Sequence, residues 1–187
     1  MKKVIAANPW LFPLPPILVS CQDGGKKPNI ITLAWCGVVS SNPVMVQIGI
    51  RPSRYSHDLI LKSREFVINI PTRKLAWAVD LCGTVSGQKK NKFNLTGLTP
   101  APSIKVRVPS IKECPINLEC KLVGTLRFGS HTHFLAQVVA VQVEEKILDE
   151  NGKPDIKKLD PLAFFPIADQ YYSIGKLVGR YGFSKEQ

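Results

Sequence analysis

The sequence predicts a mainly β protein, a mostly antiparallel barrel with a few short inserted helices. Three observations carry that prediction. Runs rich in β-branched residues, such as 17–21 and 44–50, follow one another between turn signals. No helix-length pattern separates the early strands, which disfavours a parallel βαβ sheet. The 13 Gly and 15 Pro residues are spread along the chain, as many short elements joined by turns require.

The elements follow in order. Residues 13–16 form a proline-stiffened entry to a strand over 17–21, closed by a turn at Asp23, Gly24 and Gly25. The long apolar run 29–40 reads as a second strand, and Ser41, Asn42 and Pro43 turn the chain into a third over 44–50. At 54–62 the period changes to that of a short helix, with Ser53 or Ser56 available near its N-terminus. A strand over 65–70 is closed by Pro71; Thr72 is placed to cap a helix over 73–81 that ends at Gly83. Residues 84–103 are a polar, basic, glycine-containing excursion, long enough to suggest a functional loop. Two long strands, 116–128 and 133–143, flank a turn at Gly129, Ser130 and His131. After a turn at 149–152 come short strands at 162–166 and 171–174.

With 187 residues, 44% hydrophobic and 21% charged, the chain suits one ordinary domain over 1–187, with 1–12 as an N-terminal arm and 176–187 as a peripheral tail. The net charge of +11 favours an anionic partner. It is densest over 51–92, where nine Lys/Arg face three acids. Five cysteines, none in a C-x-x-C pair, indicate neither a zinc site nor a disulfide framework, so no metal is expected and a reducing cytoplasm is the simpler setting. Prolines interrupt the basic N-terminus, which argues against a signal peptide, and no run reaches the ~18 apolar residues of a membrane span.

Two segments carry chemistry. R-P-S-R-Y-S at 51–56 puts two guanidinium groups and two serine hydroxyls at a strand-to-helix junction. Helix-start N–H groups add partial positive charge, and the planar arginine fork matches a phosphate. The same segment also reads as a capped helix with surface arginines. In N-x-x-T-x-x-W-x-G at 29–37, positions 29, 31, 33 and 35 share one strand face and Thr32 takes the other, while Gly37 permits close backbone approach to a planar ligand.

Taken together, an ordered set of segments resembles the flavin reductase-like, FMN-binding split-barrel family, in its flavoredoxin and ferric reductase branch. The matching pieces are PLPPILVS (13–20), NIITLAWCG (29–37), IRPSRYS (50–56), EFVINIP (65–71), DLCGTVSG (80–87), K-F-x-x-x-G-L-T (92–99), ECPINLEC (113–120), H-x-x-F-L-A-Q-V-V (131–139) and YYSIG (171–175). The resemblance implies a split β-barrel homodimer that binds FMN. It implies that the strand holding Asn29, Thr32, Leu33, Ala34, Trp35 and Cys36 lies along the isoalloxazine. It assigns Arg51, Ser53, Arg54 and Ser56 to the phosphate, and Ser86, Gly87 and Lys92 to a loop closing over the cofactor. It places His131 and Phe164 near the flavin, across the dimer interface.

His131 is the first candidate catalytic residue, since an imidazole titrates near working pH and can shuttle a proton. Cys36 is the second: a thiol near His131 would assist ferric reduction, against the ordinary reading of a lone cysteine as inert core. The implied activity passes electrons from NAD(P)H or a redox protein to flavin, a ferric chelate or another redox protein. The chain has no G-x-G-x-x-G dinucleotide motif, which keeps open a flavoredoxin-type carrier without direct NAD(P)H activity. A barrel that merely stores or senses flavin is a further reading. The competing class is a nucleic-acid-binding barrel. Against it, no strand closely interleaves basic and aromatic residues, so neither nucleic acid nor membrane is expected as a partner.

Overall fold

The computed structural model of the chain describes residues 1–24 and 27–185. The expected turn at Asp23, Gly24 and Gly25 and the peripheral tail thus lie partly outside the described residues. The main sheet draws on β1 (Ile17–Cys21), β2 (Asn29–Leu33), β3 (Cys36–Ser41), β4 (Val44–Ile50) and β5 (Glu65–Ile70). A short ribbon follows, β6 (Pro100–Ala101) with β7 (Ser110–Ile111), before the long hairpin of β8 (Ile116–Phe128) and β9 (His131–Val143). A second small hairpin, β10 (Leu162–Phe165) with β11 (Gln170–Ser173), completes the strands. The seven-stranded antiparallel sheet has the order β2-β1-β5-β8-β9-β4-β3.

The expected single strand over 29–40 is two strands. β2 and β3 follow one another in sequence yet occupy opposite edges of the sheet. Ala34 and Trp35 between them hold those edges together, so the sheet curls into a split barrel with its seam at this link. The Cys36 N–H donates to the Ala34 carbonyl at 3.0 Å, and the Gly49 N–H donates to the Trp35 carbonyl at 2.6 Å. These bonds are long-range or conformational, and a continuous apolar run contains no signal for them. Face alternation therefore holds within β2 only. Ile31 and Leu33 enter the barrel core with Ile48, Phe66 and Phe134. Ile30 joins the cluster beneath the helices. Trp35 lies past the break.

α1 (Tyr55–Ser63) begins where the period changed. Neither Ser53 nor Ser56 caps it: Arg54 is the N-cap, without a side-chain bond. Ser56 is instead buried in the first turn, where its Oγ accepts from Asn29 Nδ2 at 2.8 Å. The second helix also differs. Residues Arg73–Leu75 form a 3₁₀ turn, Thr72 makes no capping bond, and α2 runs Ala76–Thr84 through Gly83 rather than stopping there. Gly83 faces Thr32, and a Cβ there would meet Thr32 Cβ at an ordinary contact distance of 3.4 Å. Thr32 Oγ1 donates to the Val79 carbonyl at 2.5 Å, fixing α2 on β2.

The excursion over 84–103 is more ordered than its composition suggests. It holds α3 (Lys92–Thr96), capped by Asn91, whose side chain accepts the Asn94 N–H, and then β6. α2 and α3 bury Val79, Cys82 and Phe93 against Leu18 and Ile30. Each such apolar side chain contributes about 1.5–3 kcal/mol relative to exposure. After β9 comes α4 (Ile156–Leu159), N-capped by Asp155. No described helix is long and apolar enough to cross a membrane.

Glu119 on β8 is fully buried, and its carboxylate anchors the loop between β6 and β7. It accepts backbone N–H bonds from Ile104 (2.8 Å), Lys105 (2.6 Å) and Val106 (3.1 Å), and a bond from Gln142 Nε2 (2.8 Å). Burial pushes its carboxyl pKa up, but these bonds to the charged form outweigh that and hold it below the ordinary 4.5. A depressed folded-state value means that the stabilisation is complete above pH 4.5 and is lost as pH falls through the folded value. Glu119→Gln, which is neutral at all pH, is expected to be less stable than the parent at pH 7 by about 1–3 kcal/mol. Urea titrations at pH 7 and pH 3 check this; a gap that does not shrink in acid removes Glu119 as its cause.

Candidate functional site

At the end of β4 the chain turns through Arg51 to Arg54, closed by the Arg54 N–H donating to the Arg51 carbonyl at 2.9 Å, and enters α1. That turn lies where two cavities meet. One, of about 420 Å³, is walled by β2 and its continuation, Thr32, Leu33, Ala34 and Trp35, and by His131 and Phe164. The other, of about 220 Å³, is walled by Asn29, Ser53, Ser56, Ser86, Gly87 and Lys92. Ile31, Arg51, Arg54 and Gly83 line both, so the cavities are continuous around the turn.

The smaller cavity is basic. Arg51 and Arg54 are exposed, Lys92 is buried, and among the described residues none of them pairs with a carboxylate. The Lys92 ammonium donates to the Cys82 carbonyl at 2.7 Å. Burial pushes its pKa down to about 8, and Arg54 nearby adds to the shift. Tyr55 and Ser56, at the start of α1, line the same cavity. Gly87 is required by contact: a Cβ there would lie 1.9 Å from Asn29 Oδ1.

The larger cavity is flatter and more aromatic. The Trp35 indole stacks on the His131 imidazole, with centroids 5.8 Å apart and planes 5° from parallel. The platform is held from below, since a Cβ on Gly49 would come within 3.1 Å of Trp35 Cβ. His131 belongs to β9 itself, opposite Phe128, rather than to the expected turn. Burial, then Arg51 and His133, push its pKa below the ordinary 6.5, so the imidazole is neutral at pH 7. Its Nδ1 lies 2.9 Å from Ser130 Oγ.

Fourteen of the fifteen residues expected in the site line one or both cavities. Cys36 does not. Its Sγ donates to the Pro15 carbonyl at 3.5 Å, the side chain packs on the barrel core, and burial pushes the thiol up to about 11. A protonated thiol outside the cleft is a poor nucleophile or ligand, and this placement withdraws Cys36 as a catalytic or cofactor residue. Among the described residues, no group of three His, Cys, Asp or Glu could hold a metal. His131 and Phe164, expected across an interface, line the cavity of their own chain. Sequence reasoning missed Asp80, Thr84, Asp169 and Tyr171 in the larger cavity. Asp80 and Thr84 share a helix face at i, i+4 spacing, a signal hidden by ending the helix too early.

The model of the flavin reductase-like domain matches residues 11–174, which include every residue lining the two cavities. The chain belongs to the flavin reductase-like domain family. Among solved structures, the flavoredoxin of Desulfovibrio vulgaris (Miyazaki F) is 34% identical, with a TM-score of 0.93 and full coverage of both chains. The flavoredoxin from Methanosarcina acetivorans is also 34% identical, with a TM-score of 0.85 over 96% of this chain and 95% of that one. An uncharacterized protein of Archaeoglobus fulgidus is 40% identical over 154 residues, 82% of this chain and 85% of its own length. The family's split barrel accounts for the seam at Ala34 and Trp35, and the family match covers both sheet edges that the seam joins.

Proposed function

We propose that the joined cavities hold FMN and that the protein is an FMN-dependent oxidoreductase. The observation that supports this most is a set of three cations, none paired with a carboxylate among the described residues, gathered at the turn where the cavities meet and in the smaller one, with an aromatic platform in the larger one. That polarity suits a ligand with a phosphate at one end and a planar ring at the other. Arg51 and Arg54 would clamp the phosphate by paired N–H bonds, Lys92 would neutralise it from below, and the Ser53 and Ser56 hydroxyls would complete its shell. Bound FMN supplies a redox centre that accepts electrons singly or in pairs. The backbone of 31–35 would lie along the ring, Trp35 and His131 would shield it from water, and neutral His131 would be free to accept a proton from it.

Electrons would come from NAD(P)H or a redox protein and leave to flavin, a ferric chelate or another redox protein. A carrier without direct NAD(P)H activity is the second reading, favoured by the two flavoredoxins at 34% identity. A homodimer fits the exposed apolar residues on edge strand β3, Val38 and Val39, and Phe128 at the tip of the long hairpin. Anaerobic mixing of the FMN-loaded protein with NADH, NADPH and reduced carrier proteins tests the reading. Bleaching by a nicotinamide supports the reductase, and bleaching by carriers alone supports the second reading. Colourless protein that takes up no FMN and retards single-stranded nucleic acid ends both.

Lys92 makes the site pH-sensitive. Its value of about 8 in the free protein means that phosphate must meet a lysine losing its proton above that pH. A phosphate dianion forms above about pH 6, so FMN affinity is expected to be highest near pH 7, to decline as pH rises through about 8, and to keep falling above it. Lys92→Met is expected to bind more weakly at pH 7 and to lose this fall. Fluorescence titrations between pH 7 and 9.5 check it, and an unchanged fall in the variant assigns the titration elsewhere.

A further inference from the structure

The larger cavity has a second wall that the phosphate and ring assignments do not use. It comes from α2 and the β10–β11 hairpin. Phe164 and Tyr171 are cross-strand partners, with ring centroids 5.1 Å apart and planes tilted by 41°. Tyr171 also packs against the cluster beneath the helices, which fixes its ring. Burial, together with the nearby charges of Asp80 and Asp169, raises its hydroxyl pKa above the ordinary 10.0. The phenol therefore stays protonated beside the two carboxylates. Among the described residues, neither Asp80 nor Asp169 has a cationic partner. Arg51 and Arg54 line the same cavity at the turn, but on this wall, in a chain of net charge +11, stand two carboxylates. They cannot serve the phosphate, which they would repel.

We propose that Asp80, Asp169, Phe164 and Tyr171 are the specificity determinants for the second ligand of the cleft, and that they select a planar aromatic cation over its neutral or anionic isostere. The proposal rests on the reading of the basic end as a phosphate site, which leaves this end for a second molecule. Two mechanisms act together. The faces of Phe164 and Tyr171 attract a cation within reach of their rings. The carboxylates add attraction for positive charge and reject negative charge by repulsion. A redox ligand that becomes positive on oxidation is then held more tightly oxidised than reduced.

The test uses three near-isosteric probes: 1-methylnicotinamide (cation), nicotinamide (neutral) and nicotinate (anion). Each is titrated calorimetrically into the purified full chain, with and without added FMN. The expected order is cation, then neutral, then anion, with the cation ahead of the neutral probe by about fivefold, or about 1 kcal/mol. The Asp80→Asn/Asp169→Asn pair, near-isosteric with the parent, is expected to bring the three affinities together, and 0.5 M salt to do the same in the parent. Tyr171→Phe is expected to keep most of the preference, and Glu150→Gln, away from the cleft, all of it. Equal affinities in the parent, or a preference that survives in the double variant, overturns the proposal. The FMN titration is a separate readout. If the protein takes up no FMN, the phosphate reading fails, and the probe order in the flavin-free chain still decides this proposal by itself.

Discussion

Replacing Arg51 and Arg54 together by alanine is expected to weaken FMN binding by about 10²- to 10⁴-fold. A hydrogen bond to a charged group is worth about 1.5–3 kcal/mol, so two guanidinium clamps come to about 3–6 kcal/mol, at 1.4 kcal/mol per tenfold. The fold should not suffer. Both side chains are exposed, and no described carboxylate depends on them. The change in stability of the flavin-free protein should therefore stay within about 0.5 kcal/mol. The corresponding double lysine variant keeps the charge but loses the paired fork, and is expected to recover only part of the affinity. Quenching of FMN fluorescence gives the constants, and urea unfolding gives the stability. An alanine pair that binds FMN within threefold of the parent would place the phosphate elsewhere.

Gly87→Ala is the second large effect, and it strikes stability and binding together. The new methyl would lie 1.9 Å from Asn29 Oδ1 and 2.6 Å from its Cγ. Asn29 is only 4% exposed and is held by its bond to Ser56, so it cannot simply swing away. Overpacking costs about 1–3 kcal/mol, and the lost Asn29–Ser56 bond about 1 kcal/mol more. Because the clash is with a side chain, it can be relieved. Gly87→Ala in an Asn29→Gly background is expected to be much less destabilising than in the parent, and the double-mutant cycle reads that coupling. Additive costs would mean that the glycine is needed for its backbone alone.

The strands, the long hairpin and the basic turn at 51–56 were legible because each depends on local pattern: β-branched runs, turn residues and a change of period. What was not legible depends on contacts distant in sequence. The break at Ala34 and Trp35 has no turn residue, and it arises because Gly49 pairs with Trp35 from another strand. Gly83 looks like a helix stop in sequence, but α2 runs through it to Thr84. Reading it as a stop shortened α2 and left out Thr84, and with it the i, i+4 pairing to Asp80. Cys36 was misplaced for the same reason: beyond the break, position along the chain no longer gives the face. The serines at 53 and 56 line the smaller cavity as expected but do not cap the helix, and Ser56 bonds a distant asparagine instead.

The seam between β2 and β3 has a consequence for folding and ligand linkage. The cleft walls come from strands at both ends of the sheet, so the cleft exists only in the closed barrel and has no counterpart in a partly zipped chain. Whatever occupies it cross-braces the two ends and is released only when they part. An occupant at a hundred times its dissociation constant would deepen the native well by about 2.7 kcal/mol through mass action alone. The barrel would then hold its cofactor and be held by it, and loss of the cofactor would register first as a looser seam between the sheet's two ends.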